Sequence, residues 1–131
     1  MKKHGILNRE INDVLGRLGH TDTICICDCG LPLPEGVKVV DLSIRLNQPK
    51  FIDVLNLIIE EMEIEKIILA YEISDDNPLL DKEIQDKFPI DVRNYVSHEQ
   101  LKELTKKCKL IIRTGEATPF ANIILQSGVI F

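Results

Sequence analysis

The run Ile67-Ile68-Leu69-Ala70 has no alternation of polar and apolar side chains. Successive strand residues point to opposite faces. A strand like this one therefore needs apolar cover on both faces, and belongs inside a mostly parallel sheet flanked by helices. We read Lys66 to Tyr71 as that strand. The rest of the chain supplies matching parts. Short apolar runs at Thr23–Cys27, Val37–Leu42, Val92–Val96, Cys108–Arg113 and Asn122–Gln126 read as further strands. Between them lie segments with helical apolar spacing: Ile11, Val14, Leu15 and Leu18; Phe51, Val54, Leu55, Ile58, Ile59 and Met62; Leu79, Leu80, Ile84 and Phe88. Alternating helices and apolar strands define an α/β fold.

Local signals place the boundaries. Asn8 suits an N-cap, and Gly19 follows the first helix as a stop. Pro49 leads into the second helix, and Asn77-Pro78 starts the third. Ser97-His98-Glu99-Gln100 matches a capping box and opens a helix running to Lys107. Gly30-Leu31-Pro32-Leu33-Pro34 forbids regular structure and forms a rigid loop. With 131 residues and no linker, repeat or low-complexity stretch, we expect one domain over 1–131. Val129-Ile130-Phe131 ends the sequence on apolar residues, which suggests burial in the sheet or in a subunit interface.

The formal charge is −5 and the basic residues form no long block, so a nucleic-acid partner lacks its positive face. Met1-Lys2-Lys3 is followed by no apolar signal core, and no apolar run reaches the ~18 residues of a membrane span. The expectation is a cytoplasmic, soluble protein without membrane insertion.

Three of the four cysteines form Cys25-x-Cys27-x-Cys29. Same-face strand residues lie about 6.6 Å apart, whereas zinc ligands converge at about 2.3 Å from the metal. We therefore read these cysteines as small, reduced, apolar side chains and expect no metal site. Phosphate loops and a Gly-x-Ser-x-Gly elbow are absent, which argues against nucleotide-dependent chemistry and serine hydrolysis.

The remaining polar residues offer several sites. His20 and Asp28 flank the Thr23–Cys27 strand. They are either an acid–base pair brought together by folding or by a second subunit, or an exposed loop histidine and a turn aspartate. His98 and Lys102 are four apart on one helix face, suited to sugar hydroxyls or a phosphate, or simply solvated. Arg113, Thr114, Glu116, Thr118 and Asn122 follow a buried strand, at the strand end where ligands bind in such sheets. Arg113 and Glu116 equally suit a mutual pair that shapes the turn. Asn122 both donates and accepts, as a sugar hydroxyl does. Glu72 reads as a strand-exit residue.

Taken in order, the segments Lys2-Lys3-His4-Gly5-Ile6-Leu7-Asn8, Leu18-Gly19-His20-Thr21-Asp22, Asp28 with Gly30-Leu31-Pro32 and Pro34, Asp41-Leu42-Ser43, Ser97-His98-Glu99, Arg113-Thr114-Gly115-Glu116, Thr118-Pro119, Ala121-Asn122, Gly128-Val129 and Phe131 run the length of the chain. In these the sequence resembles the RbsD/FucU family of sugar-ring isomerases and mutarotases, and its ribose branch in particular. The resemblance implies a small cytoplasmic enzyme that interconverts the pyranose and furanose rings of D-ribose without a cofactor. It also implies an α/β subunit in a ring-shaped homodecamer of two stacked pentamers. It places the catalytic role on His20 and monosaccharide binding on Asp28, His98, Lys102 and Phe120, Ala121 and Asn122. The family commonly has tyrosine where this chain has Phe120: the flat ring is kept and the hydroxyl lost. A fucose-type mutarotase, a non-catalytic sugar-binding subunit of an uptake system and a cysteine-based sensor are the competing readings.

Overall fold

The computed structural model describes residues 1–131. The elements run α1 (Arg9–Arg17), β1 (Thr23–Cys27), β2 (Val39–Asp41), α2 (Phe51–Glu61), β3 (Ile64–Ala70), α3 (Ile73–Asp76), α4 (Pro78–Gln85), β4 (Arg93–Val96), α5 (His98–Thr105), β5 (Leu110–Arg113) and β6 (Ile123–Ser127). One six-stranded sheet has the order β2-β5-β1-β6-β3-β4. Pairing is parallel for β2–β5, β5–β1 and β3–β4, while β6 is antiparallel to both β1 and β3. The mostly parallel α/β expectation holds, with β6 as the one reversed strand.

The four central strands β5, β1, β6 and β3 divide their side chains between two cores. Ile24, Ile26, Ile67, Leu69, Leu110, Ile112, Ile123 and Leu125 face the larger one, packed with residues of α1, α2 and α4. Cys25, Cys27, Ile68, Ala70, Ile111 and Ile124 face the smaller one with Leu101 of α5. The unbroken apolar run of β3 thus results from cover on both faces. Cys25 and Cys27 fill the smaller core as expected, whereas Cys29 lies beyond the end of β1 and is only half-buried. Burial, then the nearby Asp28 charge, pushes the Cys27 thiol up to about 12, which keeps it neutral.

Capping explains the helix starts. Asn8 accepts from Ile11 N at 3.0 Å. Ser97 and Gln100 form the reciprocal capping box of α5. Glu72, at the exit of β3, accepts from His98 N at 2.9 Å and anchors the same helix start.

Several boundaries differ from the sequence reading. The second strand is only Val39–Asp41, although Lys38 O and Leu42 N still bond to Ile111 N and Arg113 O of β5, and α5 stops at Thr105. The third helix ends at Gln85, and Phe88 reaches the core from the turn beyond it. The short α3 was not expected. Asn77 holds the N-cap position of α4 but makes no capping bond. Val129–Phe131 lies outside the sheet, with Ile130 90% and Phe131 100% exposed. Of the two fates proposed for this apolar end, burial in the sheet is ruled out within one protomer.

The turn before α2 is held against the loop after β5. Gly115 N donates to Pro49 O at 2.9 Å, and Asn47 N donates to Gly115 O at 2.6 Å. A Cβ on Gly115 would lie 2.5 Å from Gln48 O and 2.6 Å from Arg45 O. Backbone atoms cannot swing aside as a flexible side-chain tip does. Gly115→Ala is expected to cost about 1–3 kcal/mol by overpacking. It should lower the urea midpoint at fixed protein concentration, and an unchanged midpoint would show that the turn yields freely.

Candidate sugar site

A cavity of about 340 Å³ opens at the carboxyl ends of β1 and β5, lined by Asp28 to Leu31, His98 and Glu116 to Phe120. Two loops build it. The first is the chain leaving β1, where Asp28 Oδ1 accepts from Gly30 N at 2.9 Å and tightens the turn into the proline loop. The second is the loop from Thr114 to Asn122.

Arg113 and Glu116 do not pair with each other. Arg113 Nη1 donates to Asp41 Oδ2 at 2.9 Å and to Ser43 Oγ at 2.6 Å, and its Nη2 donates to Cys29 O at 2.9 Å. Glu116 turns inward instead. Its Oε1 accepts from Phe51 N at 3.0 Å, placing a carboxylate at the start of α2 where the helix dipole favours it. Its Oε2 accepts from Thr118 Oγ1 at 2.8 Å. Asn77, free of capping, donates to Thr118 Oγ1 at 3.0 Å and Pro119 O at 2.9 Å. Thr114 Oγ1 donates to Cys27 O at 2.8 Å, and Cys29 N donates to Glu116 O at 2.9 Å, so the two loops are sewn together. Apart from the Glu116–Thr118 bond, these scaffold bonds were invisible in the sequence, because their partners are distant in the chain.

The fully buried Asn122 accepts from Asp28 N through Oδ1 at 3.0 Å. Its Nδ2 is buried without a protein partner, as is His98 Nδ1. Buried polar atoms are nearly always bonded in folded proteins, so two free ones at or beside one cavity suit a hydroxyl-rich ligand. Phe120 stands edge-on to His98, with centroids 5.0 Å apart and planes at 79°. Its backbone is left-handed, φ 54°, a conformation uncommon outside glycine. Together these give a small open cavity with an apolar wall, a carboxylate, an imidazole and an amide, the mixture expected of a monosaccharide site.

The other residues singled out from the sequence lie elsewhere. The Ala121 side chain is buried in the larger core. Lys102 shares the α5 face of His98 but pairs with Glu99 Oε1 at 2.7 Å, and it does not line the cavity. His20 lies beyond the opposite end of β1, where its Nε2 is 2.8 Å from Glu65 Oε2. The four residue steps of β1 span about 13 Å, so His20 and Asp28 do not meet within one protomer.

The family model described as the RbsD / FucU transport protein family matches residues 1–130. The chain belongs to the RbsD/FucU family. Two curated relatives from Bacillus cereus strains, each named D-ribose pyranase, are 57% and 58% identical over 131 residues, covering all of both chains. The structure of Bacillus subtilis RbsD complexed with D-ribose is 50% identical, covers all of both chains and superposes with a TM-score of 0.96. The fucose mutarotase of Streptococcus pneumoniae in complex with L-fucose is 26% identical, over 99% of this chain and 100% of that one, with a TM-score of 0.83. The family resemblance read from the ordered motifs is thereby established, and so is the family fold.

Partial burial raises the Asp28 carboxyl above its ordinary range, against the lowering effect of the Gly30 N bond and of the neighbouring Asn122 side chain. The neutral form is therefore the better tolerated one in the fold. Its advantage is present below the ordinary aspartate range and is lost as pH rises through the raised folded value. Asp28→Asn removes this ionisation. Relative to the wild type, its urea midpoint is expected to climb from the ordinary aspartate range upward and level off once pH has passed the raised folded value. A difference that stays flat with pH would contradict the raised value.

Proposed function

We propose that this protein is a D-ribose pyranase, an isomerase that interconverts the pyranose and furanose forms of D-ribose by ring opening and reclosure. The observation that carries this reading is the cavity bounded by Asp28, His98 and Phe120, with the free amide of Asn122 beside it, in a fold that superposes on a ribose-bound relative. The names of the full-length relatives support it. The carboxylate and amide offer complementary acceptor and donor groups to ring hydroxyls. The Phe120 ring supplies an apolar wall.

The reaction asks only proton transfers of the protein. The anomeric hydroxyl loses a proton as the bond between C1 and the ring oxygen breaks and that oxygen gains one. The open-chain aldehyde rotates, and a different hydroxyl attacks C1 to close the other ring. An imidazole can both give and take a proton and so serves both directions. We assign that role to His20, with Asp28, His98 and Asn122 holding hydroxyls. Lys102 would join them by leaving its exposed pair with Glu99, a contact of small value. Phe120 and the backbone at Ala121 complete the wall. No cofactor enters this scheme.

Because His20 lies at the opposite end of β1 from the cavity, we place it against the cavity of a second copy. A closed ring lets every protomer give one end and receive the other. A homodecamer of two pentameric rings satisfies this and offers cover for the exposed Ile130 and Phe131. Such a protein is suited to the cytoplasm, where free thiols stay reduced. No helix is long and apolar enough to cross a membrane.

Magnetisation transfer between the NMR signals of ribose pyranose and furanose reads the activity directly. His20→Ala is expected to slow this exchange by the roughly 10²- to 10⁴-fold that general acid–base catalysis supplies. Near-normal exchange in the variant would refute the assignment, and L-fucose in the same tube separates a fucose mutarotase from a ribose enzyme. For the shared site, inactive His20→Ala and His98→Ala chains are unfolded together and refolded. Mixed rings should regain activity at sites pairing one intact half from each chain. None at any ratio, with mixing confirmed by mass, would overturn a site completed by His20 of a second copy.

A further inference from the structure

Resting on the acid–base role proposed for His20, we infer that Glu65 is the positioning residue that fixes the orientation and tautomer of the His20 imidazole. Three separate features bring the two side chains together. First, Glu65 occupies an irregularity in β3: Ile64 pairs with Ser127 and Lys66 with Gln126, so two neighbours on β6 face three residues on β3. Such a bulge leaves its extra residue unpaired and re-aims the side chain. Second, the carboxylate is held at both oxygens. Gln126 Nε2 donates to Oε1 at 2.7 Å, and Oε2 lies 2.8 Å from His20 Nε2.

Third, the loop carrying His20 is tied to the same end of β6 as the bulge. Thr21 N donates to Ser127 O at 2.9 Å, Ser127 N to Asp22 O at 2.8 Å, and Gly128 N to Glu63 O at 2.9 Å. Asp22 also accepts from Gly19 N at 2.8 Å, closing the loop around His20. Thr21 pays for that closure with a left-handed backbone, φ 73°, which a β-branched residue rarely adopts. Such local distortion clusters where geometry serves function.

The chemistry follows from the partners. Bonds from Gln126 first, and then from His20, lower the Glu65 carboxyl, so it is ionised at neutral pH. An ionised carboxylate only accepts. In the neutral imidazole Nε2 must then carry the proton, leaving Nδ1 as the free base that takes and returns a proton at the sugar. When Nδ1 is protonated the adjacent carboxylate stabilises the imidazolium.

The test compares the intact assembly of wild type, Glu65→Ala, Glu65→Gln and His20→Ala by ribose exchange and by ¹⁵N NMR of the His20 ring. Glu65→Ala should lower turnover at saturating ribose about tenfold or more, part of the ~10²–10⁴-fold attributed to His20, while KM changes little. Its ring nitrogens should move from a defined Nε2–H pattern toward a tautomer mixture. Glu65→Gln keeps an acceptor without the charge and should fall between; it also carries the test if the alanine variant fails to assemble. Full turnover in the Glu65 variants, with His20→Ala inactive, overturns the positioning role and leaves His20 in place. An active His20→Ala instead refutes the catalytic reading, and the nitrogen shifts then decide alone whether Glu65 holds the ring. Unchanged shifts overturn the inference in either case.

Discussion

The structure depends on a single reversed strand. Without β6, the sheet would be two parallel pieces, β2-β5-β1 and β3-β4, each with an open inner edge. Unpaired edges invite association with other chains. By pairing with β1 and β3 at once, β6 closes both. It also positions polar groups at its two ends. Asn122, just before it, holds the Asp28 amide beside the cavity. Ser127 and Gly128, at and beyond its end, tie down the His20 loop and the segment carrying Glu65. Since β6 runs opposite to β1, the two clusters are fixed at opposite ends of the sheet by the same ladder of hydrogen bonds.

Most of the hydrogen bonding around the cavity serves the loops. Glu116, Thr114 and Thr118 bond to backbone and to one another, and Arg113 to Asp41, Ser43 and the Cys29 backbone. What stays free is small: the Asp28 carboxylate edge, His98 Nδ1 and Asn122 Nδ2. A rigid frame with few free groups suits the proposed reaction, in which the protein supplies only proton transfers. A ligand seated there would be held without a large reorganisation of the protein, because preorganised groups lose little on binding.

Element type was legible from the sequence wherever one chemistry dominated. The apolar run of β3, the alternating cysteines and isoleucines of β1 and the capping box at Ser97 each have one structural outcome. The site was legible as a set of residues, chiefly through the ordered family motifs, but not as a geometry. Nothing near Arg113 in the chain indicates that its partners are Asp41 and Ser43. Asn77 was read as a cap because asparagine before proline usually is one, and tertiary contacts claimed its side chain for Pro119 and Thr118. Glu65 lay hidden in the charged sequence Glu60-Glu61-Met62-Glu63-Ile64-Glu65-Lys66. Only the pairing register of β3 against β6 distinguishes it from its neighbours, and register is a property of two strands.

The separation of His20 from the cavity also gives the exposed apolar end a physical setting. Val129–Phe131 leaves β6 on the side of the sheet that carries His20, because Ser127 and Gly128 are bonded to the residues around it. A partner that covers His20 therefore approaches the side from which these apolar side chains emerge. Burying such surface at about 25 cal/mol per Å² favours association, and the same approach would bring the imidazole to a neighbour's Asp28 and His98. In that arrangement the energy that assembles the ring and the geometry that completes the site come from one contact. A protomer of this size then need not fold both halves of its proposed chemistry toward each other.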